Sequence, residues 1–70
     1  MDIPVSRLNA KAKWVRNGRV WRIFASDGGF DFWWSGRWWT GMRGQAKKYY
    51  CEERCLAVTA ALKEAHRGTA

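Results

Sequence analysis

The segment Phe30-Asp31-Phe32-Trp33-Trp34-Ser35-Gly36-Arg37-Trp38-Trp39 leaves this chain few ways to fold. It reads as two short strands joined by a two-residue Ser-Gly turn. Side chains alternate across a strand, so each Trp-Trp pair puts one indole on each side of a sheet. The 70 residues hold only one other sizeable element, a helix near the C-terminus, and one helix covers one face. The other face then leaves tryptophan in water. Exposed aromatic surface of that kind marks a place where something binds.

Two more turns precede this one. Asn17-Gly18 tolerates the positive φ angles of a type I′ hairpin, and Asp27-Gly28 repeats the signal. Together the three turns divide the middle of the chain into four strands, about 11–16, 19–26, 29–34 and 37–40. Two-residue turns set the register, with residue 16 facing 19, 26 facing 29 and 34 facing 37. One face then carries Trp14, Trp21, Ile23, Ala25, Phe30, Phe32, Trp34 and Trp39, with Arg16, Arg19 and Arg37 near the turns, and is the expected core. The other carries Lys11, Lys13, Val15, Val20, Arg22, Phe24, Asp31, Trp33, Trp38 and Thr40. One row across it places Lys13, Arg22, Trp33 and Trp38 side by side, a stripe of cations and indoles.

The helix is expected from Cys51 or Glu52 to about His66, with Gly68 as its stop. Glu52 and Glu53 in its first turn and Lys63, His66 and Arg67 in its last suit the helix dipole. Cys51, Cys55, Val58, Leu62 and Ala65 make a narrow apolar stripe, small enough to sit under large sheet aromatics. Gly41 to Gly44 reads as a loop, Ala46 to Tyr50 as a weak last edge strand, and one of Tyr49 and Tyr50 as core with the other open. The expected fold is α+β, an antiparallel β-meander of about four short strands with one C-terminal helix packed on one face. Residues 1–10 are an N-terminal arm on the surface or disordered, 11–67 a single domain, and 68–70 a tail.

A domain this small needs large side chains or staples to fold, and six tryptophans supply the former. Each buried aromatic removes about 150–250 Å² from water. Cys51 and Cys55 lie four apart on one helix, a geometry that seldom permits a disulfide. The start of the chain has no signal-peptide pattern and no segment approaches the roughly 18 apolar residues of a span, so a cytoplasmic protein is expected.

The net charge of +7 is concentrated. Between Arg7 and Lys48 stand ten basic residues against Asp27 and Asp31, whereas from Tyr49 onward three of each sign balance. The strand region therefore faces a polyanionic or acidic partner.

Catalysis finds no constellation. His66 is the only histidine, Glu52 and Glu53 suit the helix dipole and do not converge, and Asp31 has no carboxylate partner. Cys51, Cys55 and His66 are too few for a zinc site, and Gly28-Gly29 lies between strands and not before a helix. No enzyme, cofactor or metal is expected. The candidate binding residues are Lys11, Lys13, Arg22, Trp33 and Trp38, extended by Arg43 and Lys47. Bases can stack on the indoles while the cations neutralise phosphates. Against this stands a reading in which Trp33 and Trp38 pack on each other, or are covered by the arm or a second copy of the chain.

Lys48-Tyr49-Tyr50-Cys51-Glu52-Glu53-Arg54-Cys55-Leu56-Ala57 resembles the corner of the three-stranded-sheet DNA-binding domains of plant ethylene-response factors and of integrase amino termini. There an aromatic and a Ser or Thr cap precede Glu-Glu-Ala. Here Cys51 and Arg54 replace the cap and the first alanine, and an extra hairpin is present. The resemblance, over some 45 residues, implies that the uncovered sheet face enters the major groove through Lys13, Arg22, Trp33 and Trp38. In kind, the chain also looks like the tiny accessory proteins of phages and mobile elements, anti-CRISPR inhibitors among them, a class that no motif defines.

The expected function is thus a non-catalytic, stoichiometric binder that engages a host nucleoprotein complex or its acidic protein surface, as a phage or mobile-element inhibitor would. The alternative is a module that binds DNA or RNA directly. A membrane partner is not expected, since the tryptophans lie in a sheet and not on an amphipathic helix. The chain is a monomer or a weak dimer.

Overall fold

The computed structural model describes residues 5–68. In chain order it comprises α1 (Val5–Asn9), β1 (Lys13–Asn17), β2 (Val20–Asp27), β3 (Phe30–Trp34), β4 (Trp39–Thr40), a 3₁₀ turn at Arg43–Gln45 and α2 (Glu52–Gly68). The strands form one antiparallel sheet in the order β1-β2-β3-β4, and the expected α+β meander with a C-terminal helix is what the chain adopts. No helix among the described residues is long and apolar enough to cross a membrane.

Each hairpin turns one residue later than the dipeptide signals imply. Asn17 pairs with Val20, Asp27 with Phe30 and Trp34 with Trp39. The loops are Gly18-Arg19, Gly28-Gly29 and the segment 35–38, which a Ser35 N–H to Trp38 carbonyl bond of 3.0 Å closes. Among the described residues none but glycine has a positive φ, so glycine takes the first position of each tight turn: Gly18 at +67°, Gly28 at +62° and Gly36 at +102°. Asn17 and Asp27 stay in the strands because they need not enter the left-handed region. Every register is therefore offset by two. An offset of two leaves each side chain on its expected face but changes its neighbours.

The sheet is not filled evenly. Ile23 and Ala25 of β2 are fully buried, and Ile23 clusters with Ala12, Tyr49, Cys55 and Leu62, a core against which Trp21, Trp34, Trp39 and Val58 pack. Trp14 and Phe30, expected in that core, are 44 % and 72 % exposed. All five residues of β1 are exposed, and Phe30 lies at the β2–β3 turn. One helix with a stripe of Cys55, Val58, Thr59 and Leu62 is too narrow to cover the outer strand or the turn. Cys51 and Ala65, the ends of the expected stripe, are exposed.

A further part of that face, over β2, is covered from an unexpected source. The segment read as a surface arm holds α1, whose Leu8 and Asn9 are buried, and α1 packs beside α2 against β2. Asn9 accepts a hydrogen bond of 2.8 Å from the Trp39 indole, which satisfies both groups. The expectations for residues 1–4 and 69–70 lie outside the described residues, as does that for the Arg67 side chain.

The stretch read as a last edge strand is an internal wedge. Tyr49 exchanges backbone bonds with Trp21 at 2.7 and 2.8 Å, and the Lys47 N–H donates to the Trp34 carbonyl at 2.8 Å. The segment 47–49 thus bridges β2 and the end of β3. Tyr49 is buried and Tyr50 is 72 % exposed, the expected division of the pair.

Burial distinguishes the two thiols. Cys51 is exposed, whereas Cys55 is buried and its thiol is pushed up by that burial. One thiol is expected to react promptly with an aromatic disulfide reagent and the other only at the rate of unfolding. Two prompt equivalents would show that α2 does not stay on the sheet.

Candidate nucleic-acid interface

The face of the sheet turned away from the helices carries the candidate site. Its central row is Lys13, Phe24, Trp33 and Thr40, because Lys13 pairs with Phe24, Phe24 with Trp33 and Trp33 with Thr40. The expected row of Lys13, Arg22, Trp33 and Trp38 is thereby corrected. Arg22 stands opposite Val15, two residues along, and Trp38 lies in the β3–β4 loop beyond the wedge of 47–49. The cause is the later turning of each hairpin.

Trp33 is not a bare platform. Its ring meets Phe24 with centroids 5.7 Å apart, and the Arg43 guanidinium sits 5.4 Å from its centroid. Arg43 is brought there by the loop after β4, where Thr40 Oγ1 accepts from the Met42 N–H at 3.2 Å and the 3₁₀ turn follows. The result is an aromatic pair with a cation laid over it, flanked on the sheet by Lys13 and Arg22. A guanidinium over an indole keeps its N–H groups free at the edges, where phosphate oxygens can accept them. Trp38 is 54 % exposed, its backbone held by Ser35, whose hydroxyl bonds the Trp38 carbonyl at 2.9 Å.

Two of the expected cations belong elsewhere. Lys11 does not extend the stripe: its ammonium lies 3.0 Å from Asp27, which Arg7 also reaches at 3.2 Å. This trio ties the end of α1 to the β2–β3 turn. Lys47 likewise turns away, because Lys47 and Tyr49, two apart on an extended segment, lie on the same side of it. Its ammonium sits 5.6 Å from the Tyr49 ring centroid, and its chain passes so close to Gly36 that a Cβ there would meet it at 3.1 Å. Lys47 lines an open cleft of about 350 Å³ with Lys48, Tyr49, Tyr50, Cys51 and Arg54.

The acidic groups of the strand region are both engaged. Ser26 donates to Asp31 across the β2–β3 pair, and Asp27 is held by its two cations. The Lys11 hydrogen bond, with the charges of Arg7 and Lys11, holds the Asp27 carboxyl below its ordinary 3.8 against the opposing effect of burial. A lowered carboxylate contributes stability above its unfolded value and loses it as pH falls through the folded value. Wild type is therefore expected to lose more of its urea midpoint than Asp27→Asn as pH falls from about 5 to about 2. Parallel curves would show that the trio adds nothing to stability.

The structure also brings forward residues that the sequence pattern does not single out. Phe24 supports Trp33, and Thr40 and Gln45 shape the turn that carries Arg43, their side chains 3.4 Å apart. A one-residue later turn, with glycine first, is the signal that places Phe24 in the row. No cluster of three or more His, Cys, Asp or Glu side chains able to hold a metal occurs among the described residues. No family model, curated protein or solved structure matches this chain.

Proposed function

We propose that this protein is a non-catalytic, stoichiometric binder that applies its open sheet face to the sugar–phosphate backbone of nucleic acid, either free or carried in a nucleoprotein complex. The observation that carries this reading is Arg43 laid over Trp33 of the Trp33–Phe24 pair, beside Lys13 and Arg22, on a face whose one carboxylate among the described residues, Asp31, is bonded to Ser26. Backbone recognition is favoured over base stacking because the Arg43 guanidinium already lies over the Trp33 ring, so a base would have to displace it to stack there. The charge of +7 steers a polyanion toward this face.

Fluorescence anisotropy titration with labelled duplex and single-stranded oligonucleotides, across a salt series, tests the proposal. Duplex is expected to bind at least as tightly as single strand, with log affinity falling linearly against log salt. Tighter single-strand binding with strong tryptophan quenching would transfer the contact to the bases. Absence of binding at low salt would overturn the reading and leave an acidic protein surface as the partner.

A further inference from the structure

We infer that the outer edge of β1 is a pairing site for a second copy of this chain, joined antiparallel about Val15 into one continuous eight-stranded sheet. β1 pairs with β2 without interruption from Lys13 to Asn17, so no bulge turns it from solvent, and it contains no proline. Natural sheets protect open edges by bulges, prolines and charged side chains; this edge has neither of the first two, and its guard is the cations Lys13 and Arg16 alone. Instead it exposes Trp14 and Val15, at 44 % and 38 %.

Hydrogen-bond alternation sets which groups face outward. With a two-residue loop, the flanking pair Asn17–Val20 exchanges both of its backbone bonds, and alternate pairs follow suit. Lys13, Val15 and Asn17 therefore point their backbone groups at β2, while Trp14 and Arg16 point theirs outward. An antiparallel copy centred on Val15 sets Trp14 against the partner's Arg16 and Arg16 against the partner's Trp14. Both are pairs that exchange two bonds, so four backbone bonds form.

The side chains fit the same register. Val15 meets its own copy, Lys13 meets the partner's Asn17, and no two cations stand opposite one another. Arg16 already lies 5.1 Å from the Trp21 centroid, held there by a bond of 2.7 Å to the Gly18 carbonyl. The partner's Trp14 would close its other side and place the guanidinium between two indoles. This agreement of pairings favours a second copy over an acidic extended segment, which would find Trp14 and Val15 without counterpart. A five-residue strand makes a weak dimer, and two charges of +7 oppose it, so salt strengthens the pairing. Nucleic-acid binding responds to salt with the opposite sign, which keeps the two proposals separable.

Cysteine cross-linking in a Cys51→Ser background tests the register. Residue 15 would face itself as a non-hydrogen-bonded pair at about 4.5 Å between Cα atoms, within reach of a disulfide. Val15→Cys is expected to cross-link on the order of tenfold or more faster than Lys13→Cys or Asn17→Cys, and faster still at high salt. Sedimentation of the uncrosslinked wild type should show mass rising with concentration, and Val15→Lys, which sets two lysines face to face, should abolish the rise. Equal rates at the three positions, or faster linking at residue 13 or 17, would overturn the proposed register. A wild type that stays monomeric at near-millimolar concentration and high salt would overturn the pairing itself.

Discussion

Leu8→Ala is expected to cost about 3 kcal/mol, and so to lower the melting temperature by roughly 12–24 °C in a domain of this size. Leu8 is fully buried although it lies in a five-residue helix that could not stand alone. What holds α1 is its packing beside α2 and against β2, the Asn9–Trp39 bond and the Asp27 trio. Truncating Leu8 leaves a cavity between these elements that a short helix cannot collapse to fill. Trp14→Ala, by contrast, should cost under about 1 kcal/mol, because much of the indole is already in water. Thermal melts followed by circular dichroism rank the two variants directly. If Trp14→Ala melted lower than Leu8→Ala, the helix pair would not be the cover of this face.

The reversal of these two residues shows where a sequence is legible and where it is not. Alternation assigns Trp14 to the helix side correctly, since an error of two in register preserves parity. Alternation does not say how far a helix reaches, and burial at a sheet edge depends on that. The residue that completes the cover, Leu8, sits in a segment with too few positions to show a helical period. Its neighbour Asn9 reads as a polar surface residue until Trp39 is brought 30 positions back to meet it. The three turns are legible but read one residue early, because Asn-Gly and Asp-Gly favour a turn that begins on the polar residue. Here glycine leads each turn, and that single choice moves Arg22 out of the row and Phe24 into it. Lys47 groups with Arg43 by proximity in sequence, yet an extended segment lies between two elements and directs alternate residues to opposite sides.

Replacing Lys13, Arg22 and Arg43 together by glutamine is expected to lower the slope of log affinity against log salt by nearly 3, about 0.9 for each phosphate no longer neutralised. At low salt the affinity for duplex should fall by more than tenfold for the set, since counterion release is then at its most favourable. All three side chains lie on or over the open face and none belongs to the core, so the fold should melt within a few degrees of wild type. Lys11→Gln and Lys47→Gln are the comparison. One ammonium is bonded to Asp27 and the other faces Tyr49, so each should change the slope little. Arg43→Gln alone separates backbone recognition from stacking. Without the guanidinium one phosphate goes unpaired, but the indole beneath it is also uncovered. Duplex affinity should then fall while single strands quench tryptophan more strongly than before. A parallel fall for both forms of nucleic acid would mean that Trp33 is closed by Phe24 and its neighbours and not by Arg43. An unchanged slope in the triple variant would move the nucleic acid off this face altogether, to the cleft that Lys47, Lys48 and Arg54 line.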